Sequence, residues 1–263
     1  MLFRSPPREV VRRLLAEYDA ADIIDVPSTF AARTFEENGV SRDRVTVSAL
    51  GVDPLVFQPA NARDQGRFRV LFVGRLELLK GLPYLLQAFS RLRLPDTELW
   101  LAGPSRAEIE PFLRKHQGEF KYLGPVNRDD LPDVYRAASV GVLPSVQEGF
   151  GLVLLEAMAC GLPVIASTNT AGSDVIRDGT DGFVVPTRDA SALEEKLLWL
   201  YRHRLEAEEM GREGRRRVLE QFTVAHYAER LVRNALGARR RKWTDQSVQP
   251  DSRNDTVRLN CSM

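Results

Sequence analysis

The chain has 263 residues, of which 43% are hydrophobic and 28% are charged, a composition typical of a globular protein with one large domain or two small ones. Its 37 basic and 36 acidic side chains leave a formal charge of +1, so no chain-wide field attracts it to nucleic acid or to an anionic membrane. No apolar run reaches the length of a membrane span or of a signal-peptide core, and two unalike cysteines, Cys160 and Cys261, favour a reducing cytoplasm.

The first 50 residues carry the pattern of only about two helix–strand units. A helix is predicted over 8–18, a strand over 23–26, a helix over 28–38 and a strand over 45–49. A free-standing domain of this type needs on the order of 100 residues. We therefore expect residues 1–58 to be the end of a Rossmann-like N-terminal domain together with a linker.

From residue 69 onward, short apolar runs alternate with longer amphipathic stretches. Strands are predicted at 70–73, 98–102, 120–123, 140–143, 163–166 and 183–185. Helical patterns are predicted at 82–92, 107–116, 131–138, 152–160 and 190–201. Six apolar strands with helical crossovers predict an α/β domain with one doubly wound parallel sheet, over residues 59–222.

Two further helical patterns follow, at 208–221 and 224–236, and residues 223–237 are assigned to a C-terminal crossing helix. Residues 238–263 lack apolar periodicity, which predicts a disordered tail. Basic clusters at 215–217 and 239–242 favour a solvated helix face and tail, with at most weak peripheral contact with the inner face of a membrane.

The loop after the first strand of the predicted sheet carries two cations. Gly74 and Arg75 end the strand, and Lys80 stands just before the next helix. In an open α/β sheet, ligands bind beyond the carboxyl ends of the strands, where helix N-termini present free N–H groups. A guanidinium that binds two oxygens and a mobile ammonium suit a diphosphate. Two solvated loop charges are the alternative interpretation.

A second group of residues begins with Glu148-Gly149-Phe150-Gly151-Leu152 and continues into a helix that contains Glu156. The two glycines allow the backbone to approach a ligand closely, and the helix N-terminus offers N–H groups to a phosphate. Glu156 lies in an apolar stretch, where a carboxylate needs a partner such as a ribose diol. Alternatively, Glu148 interacts with the helix electrostatically and Glu156 pairs with an arginine.

Other chemistry is less favoured by the sequence. The histidines, His116, His203 and His226, share no spacing with Asp or Cys that is typical of a triad or a metal site, and surface roles are expected for them. The loop at 74–81 lacks both the Gly-x-Gly-x-x-Gly spacing and the Gly-Lys-Ser/Thr sequence, which disfavours NAD enzymes and P-loop ATPases.

Taken in chain order, these motifs resemble family four of the retaining glycosyltransferases, the group 1 glycosyltransferases, which have the two-domain GT-B fold. The resemblance extends from about residue 20 to residue 236, and two glutamates eight positions apart are that family's signature. The matching segments include Gly51-Val52-Asp53, Val73-Gly74-Arg75-Leu76 with Lys80-Gly81, Leu123-Gly124-Pro125-Val126, Glu148-Gly149-Phe150-Gly151 and Glu156-Ala157-Met158-Ala159.

The resemblance implies a hexosyltransferase-type enzyme, metal-independent, that moves a sugar with retention from a UDP- or GDP-linked donor to an unknown acceptor. It implies that Arg75, Lys80 and Glu148 are catalytic: the two cations hold the donor diphosphate, and Glu148 meets the sugar hydroxyls. Because the two cations replace a metal, it implies neither a metal nor a cofactor other than the donor substrate. The implied donor-binding residues are Gly74, Val126, Gly149, Phe150, Gly151, Leu152 and Glu156.

Departures from the family pattern limit what is expected of the chain. Leu50 stands where the family often has Asn, and Asp174 stands where Glu is usual. The glycine-rich loop, histidine and acceptor site of the family's N-terminal domain have no counterpart. The expectation is a donor-binding part that is weak alone, and the alternative is a non-catalytic or truncated nucleotide-sugar-binding subunit that needs a separate acceptor-domain chain. A sugar-nucleotide epimerase is less favoured, because no cluster of acid/base histidines is visible.

Overall fold

The structure, a computed structural model, describes residues 7–60 and 66–247, with the side chains of 238–247 left out. A two-stranded parallel sheet pairs β1 (Ile24–Val26) with β2 (Val45–Val47). A six-stranded parallel sheet has the order β5-β4-β3-β6-β7-β8. Its strands are β3 (Phe68–Val73), β4 (Thr97–Ala102), β5 (Lys121–Gly124), β6 (Val140–Leu143), β7 (Val164–Ser167) and β8 (Phe183–Val185).

Helices flank both sheets. Those of the first unit are α1 (Arg8–Ala20) and α2 (Thr29–Glu37). Those around the large sheet are α3 (Leu82–Leu92), α4 (Glu110–Lys115), α5 (Leu131–Arg136), α6 (Leu152–Ala159), α7 (Gly172–Val175), α8 (Ala190–Arg202) and α9 (Arg204–Gln221). The last is α10 (Val224–Ser247). All six predicted strands of the large sheet are present, and the α/β prediction is confirmed.

The centre of the large sheet is buried on both faces, which explains its continuous apolar strands, whereas the edge strand β5 is partly exposed. Every residue of β6 and β7 is buried. Along β3 the side chains alternate, with Val70 and Phe72 in one apolar cluster and Leu71 in the other. The first cluster contains the buried residues of α3 and α8, and the second contains those of α6. The helices therefore cover opposite faces of one sheet.

The strand order places a topological switch point between β3 and β6. The chain leaves β3 through α3 toward β4 on one side, and it leaves β6 through α6 toward β7 on the other side. The two connections diverge at the carboxyl ends of adjacent strands, and a crevice opens there in folds of this kind.

Several boundaries differ from those predicted. The helix expected at 107–116 is split into a 3₁₀ turn, Ala107–Ile109, and α4, since Pro111 stands in the first turn of the α-helix, where proline is tolerated. The first ten residues of the tail predicted from residue 238 continue α10 to Ser247. Arginine, lysine and alanine have high helix propensity, and a solvated helix needs no apolar stripe. Residues 248–263 lie outside the described residues.

Two of the three arginines at 215–217 depart from the solvated basic face that was expected, whereas Arg216 is exposed. Arg215 Nη1 donates to the carbonyl oxygens of Phe57, at 2.6 Å, and Ala159, at 2.5 Å. Arg217 donates to the carbonyl oxygen of Val175 at 2.8 Å. Because α9 packs on α6, these guanidiniums are directed at backbone carbonyls of the domain. The weak peripheral membrane contact stays a prediction, and the side chains of 239–242 lie outside the description.

The first unit is small, and α10 packs against it. Its apolar cluster contains Ile24, Val26 and Ala32, whereas α1 buries no residue and exposes apolar side chains. Two side chains of α10 reach back to this unit. Arg230 donates to the carbonyl oxygen of Ala49 at 2.7 Å, and Asn234 Nδ2 donates to that of Val47 at 3.2 Å.

The other face of α10 is open in the part whose side chains are described. Its exposed apolar residues are Val224, Leu231, Val232 and Leu236. Within the described part of the chain, no helix combines the length with the hydrophobicity that a bilayer crossing requires.

Candidate functional site

A crevice of about 330 Å³ lies at the switch point, between the carboxyl ends of β3 and β6. Its lining combines residues from three loops with the first turn of α6. The lining residues are Leu50, Val73, Gly74, Arg75, Lys80, Leu143, Glu148, Phe150, Gly151, Leu152 and Val153. The structure thus brings seven of the predicted site residues to one place. Leu50, which the sequence marked only as a departure from the family, is also part of the wall.

The two cations of the crevice have different surroundings. A 3₁₀ turn, Leu78–Lys80, places Lys80 against Glu148, and Nζ forms an ion pair with the Oε2 of that carboxylate. Burial lowers the pKa of Lys80, an effect that the Glu77 carboxylate opposes. The Arg75 side chain is 55% exposed, and its Nη2 lies 3.3 Å from Glu77 Oε1. Lys80 is therefore held in the wall, while Arg75 reaches solvent.

The N-terminus of α6 opens onto the crevice without a capping side chain. Its N-cap is Gly151, with φ at 85°, and no acidic residue stands in the first turn. A Cβ at Gly151 would overlap the side chain of Leu143, so both the conformation and the space require glycine. The N–H groups of the first turn and the positive end of the helix dipole favour an anion at this point.

Glu156 does not line the crevice, in contrast to the other glutamate of the motif. It lies one turn further along α6 and is only 6% exposed. Tyr135, which is fully buried on α5, donates its hydroxyl hydrogen bond to Glu156 Oε2 at 2.8 Å. Burial raises the pKa of Glu156, and the Tyr135 hydrogen bond and the charge of Arg128 oppose that rise. The hydrogen-bond partner of Glu156 is thus a tyrosine rather than an arginine, and no spacing in the sequence predicts this pair.

Gly149 and Val126 also lie outside the crevice lining. Val126 packs at the margin of the second apolar cluster. The carbonyl oxygen of Gly149 accepts a hydrogen bond from Ser28 Oγ at 2.5 Å. Next to it, Thr29 donates to the Asp174 carboxylate through its N–H at 2.8 Å and its hydroxyl at 2.6 Å. The first unit therefore contacts the glycine loop directly, a contact that sequence reasoning missed.

Within residues 7–60 and 66–247, no group of three or more His, Cys, Asp and Glu side chains is placed to hold a metal ion. The acidic side chains near the crevice instead face cations or a hydroxyl, as described for Glu77, Glu148 and Glu156.

A parallel sheet with a crevice at its switch point, preceded by a second small α/β unit, has the architecture of GT-B proteins. Residues 67–203 match the family model for group 1 glycosyl transferases, and the chain belongs to that family. It is 36% identical over 211 residues to a D-inositol 3-phosphate glycosyltransferase of Pseudarthrobacter chlorophenolicus, covering 73% of this chain and 50% of the relative. The chain spans about half the length of the curated relatives it matches.

Two solved structures share the fold. The structure of Anabaena HepE in complex with UDP and glucose has a TM-score of 0.76 at 17% identity, over 88% of this chain and 68% of that chain. Sucrose-phosphate synthase from Thermosynechococcus elongatus has a TM-score of 0.74 at 26% identity, over 93% of this chain and 65% of that chain. The relatives' names give different products, so the family alone assigns no acceptor to this chain.

Proposed function

We propose that this chain is the donor-binding part of a retaining glycosyltransferase that uses a nucleoside diphosphate sugar. The observation that supports this most is the crevice at the switch point, where Arg75, Lys80 and the uncapped N-terminus of α6 meet. These are three positive groups around one cavity in a chain whose net charge is only +1. Membership of the group 1 family and the glycosyltransferase relatives support the same reaction class.

The proposed chemistry follows from where charge develops. The bond between the anomeric carbon and the diphosphate oxygen breaks, the acceptor hydroxyl bonds to that carbon, and its proton leaves to the diphosphate. Negative charge grows on the departing oxygen, and preorganised cations stabilise it more strongly than they stabilise the intact donor. Arg75 and Lys80 supply these cations, so the reaction needs no divalent ion.

When a donor binds, both members of the ion pair between Lys80 and Glu148 are expected to exchange partners. An arriving diphosphate competes for the ammonium of Lys80, because a phosphate oxygen is an equally strong acceptor. The Glu148 carboxylate is then released to accept hydrogen bonds from the hydroxyls of the transferred sugar. Binding of diphosphate and binding of sugar are therefore linked through one pair of side chains.

Calorimetric titration of the chain with UDP, GDP, uridine and guanosine tests the proposal. At least one nucleoside diphosphate is expected to bind ten times or more tightly than its nucleoside, because each charge-assisted hydrogen bond contributes about 1.5–3 kcal/mol. EDTA is expected to leave this affinity unchanged. Absence of heat with both diphosphates, or equal affinity for diphosphate and nucleoside, contradicts the proposal.

Tyr135 gives a sharper test of the proposed ribose contact of Glu156. Its hydrogen bond lowers the pKa of a carboxyl group that burial raises, so Tyr135→Phe raises that pKa further. An ionised carboxylate accepts the ribose hydroxyls, and the loss of UDP affinity on acidification is therefore expected to begin at higher pH in Tyr135→Phe than in the wild type. Affinity measured by calorimetry across pH 5 to 8 shows the displacement.

The control for this experiment is Glu156→Gln, which removes the titrating group. Its UDP affinity is expected to be lower than that of the wild type at pH 8 and to lack that acid-dependent loss. A purely structural role of Tyr135 predicts the same affinity loss at all pH values in Tyr135→Phe, and that result contradicts the ribose assignment.

A second candidate function is a nucleotide-sugar-binding subunit that acts only with an acceptor domain supplied by another polypeptide. This second function is favoured by the exposed apolar side chains of α1, which are Val10, Val11, Leu14 and Leu15. A two-stranded sheet is also marginal by itself. Turnover of isotope-labelled UDP-glucose and GDP-mannose by the chain alone separates the candidates: transfer or hydrolysis favours the enzyme, while saturable binding without turnover favours the subunit.

A further inference from the structure

A second cavity, of about 640 Å³, lies beside the crevice. The turn Leu78–Lys80 takes part in both, since Leu78 and Leu79 line the second cavity and Lys80 lines the crevice. The remaining walls come from α3, α4 and the loops that follow β6 and β8. A backbone hydrogen bond of 2.8 Å from Val146 N to Leu79 O joins two of these walls. The volume is in the range of about 300–1,000 Å³ that is typical of small-molecule sites.

The lining of this cavity combines apolar surface with positive charge. Its apolar members are Leu78, Leu79, Pro83, Tyr84, Phe112 and Val146. Its basic members are Arg91, Lys115, His116 and Arg188, and no acidic side chain lines it. Phe112 is 37% exposed, so its ring is accessible from the cavity. A ligand that matches this lining has an apolar body and a negative group.

Two of the cations are available to a ligand. Among the described residues, no carboxylate pairs with Lys115 or Arg188, whereas Arg91 lies 3.7 Å from Glu194. Arg188 has φ at 65°, a left-handed conformation that costs a non-glycine residue about 1–2 kcal/mol. The next residue, Asp189, caps α8 through bonds of 2.9 Å to two N–H groups, so the loop that carries Arg188 is fixed.

His116 adds a buried polar group to the same cavity. It was expected at the surface, but this C-cap residue of α4 is only 9% exposed. Its Nδ1 lies 3.0 Å from Glu119 Oε2. That carboxylate orients the ring and occupies one nitrogen, so Nε2 is the nitrogen left for another partner.

We propose that this cavity is a second ligand site that binds an aromatic phosphate ester. The ring of the ligand packs against Tyr84 and Phe112, and its phosphate group is bound by Lys115 and Arg188. Aromatic side chains favour a ring over an aliphatic chain because edge and stacked geometries contribute beyond buried area. No described residue lines both this cavity and the crevice, although the turn Leu78–Lys80 borders both.

Calorimetry with three probes tests the proposal: phenyl phosphate, inorganic phosphate and benzyl alcohol. Phenyl phosphate is expected to bind at least tenfold more tightly than either of the other probes, since only it carries both groups. The double variant Lys115→Gln, Arg188→Gly is expected to lose at least tenfold in this affinity. Both side chains are exposed, and glycine is favoured at φ 65°, so the variant keeps the fold.

Two control variants locate the binding. Arg114→Gln removes an exposed cation next to Lys115 that does not line the cavity, and it is expected to leave phenyl phosphate affinity unchanged. Arg75→Ala removes a cation of the crevice and is expected to leave it unchanged as well. Three results overturn the proposal. Phenyl phosphate binds no more tightly than the other two probes, or the double variant binds it as tightly as the wild type does, or Arg75→Ala loses as much phenyl phosphate affinity as the double variant.

Discussion

Replacing Arg75 with alanine is expected to weaken UDP binding by roughly 10- to 100-fold while leaving uridine binding unchanged. The substitution removes a guanidinium that can form one or two charge-assisted hydrogen bonds with the diphosphate, each contributing about 1.5–3 kcal/mol. Arg75 is half exposed, and Glu77, its partner on the same loop with a side chain only 13% exposed, keeps Lys80 as a charged neighbour after the substitution. The effect on binding is therefore separate from an effect on folding.

Calorimetry with UDP and uridine measures this difference. Arg202→Ala is the matched control, because Arg202 is an exposed arginine at the end of α8 that does not line the crevice. Its affinity for both compounds is expected to equal that of the wild type. If Arg75→Ala weakens UDP and uridine equally, the diphosphate contact is refuted.

Among the substitutions proposed for this chain, Gly81→Ala is expected to destabilise the fold most, lowering the free energy of unfolding by about 2–5 kcal/mol. Gly81 has φ at 69°, which by itself costs alanine about 1–2 kcal/mol. In addition, a Cβ at this position would overlap the Pro144 carbonyl oxygen and lie 2.7 Å from its carbonyl carbon. Relief requires the loops after β3 and β6 to separate, and these loops carry Lys80 and Glu148.

Gly118→Ala distinguishes the cost of the left-handed backbone conformation from the cost of steric overlap. Gly118 has φ at 88°, and a Cβ added there would meet no atom within 4 Å, so its substitution carries only the conformational cost of about 1–2 kcal/mol. Chemical denaturation of both variants gives the difference, and UDP binding is expected to be lost only in Gly81→Ala. Equal destabilisation of the two variants would mean that the close approach to Pro144 has no energetic consequence.

Much of the large sheet could be predicted from local sequence, because its central strands β6 and β7 are apolar and buried on both faces. The pattern around β6 is an example, since all four of its residues are buried. Motif spacing also predicted that Arg75, Lys80 and Glu148 meet, because the loops after β3 and β6 lie at adjacent carboxyl ends. These predictions depend on chain order and periodicity, which the sequence contains directly.

Contacts between distant segments could not be predicted in this way. Tyr135 and Glu156 are 21 positions apart on different helices, and only packing of α5 against α6 brings them together. Arg215 is typical of a basic surface helix by composition, yet its guanidinium bonds to backbone carbonyls 158 and 56 residues away. The burial of His116 has the same origin, since it depends on which face of α4 meets the domain.

The contact of Ser28 and Thr29 with the glycine loop has a consequence for motion. Swinging the amino-terminal unit away from the sheet would break three hydrogen bonds together, one to the Gly149 carbonyl and two to Asp174. A neutral bond of this kind contributes about 0.5–1.5 kcal/mol and one to a carboxylate about 1.5–3 kcal/mol. These hydrogen bonds hold the amino-terminal unit against the sheet beside the crevice. A substrate that displaces the Gly149 peptide therefore also changes the free energy needed to separate the two units.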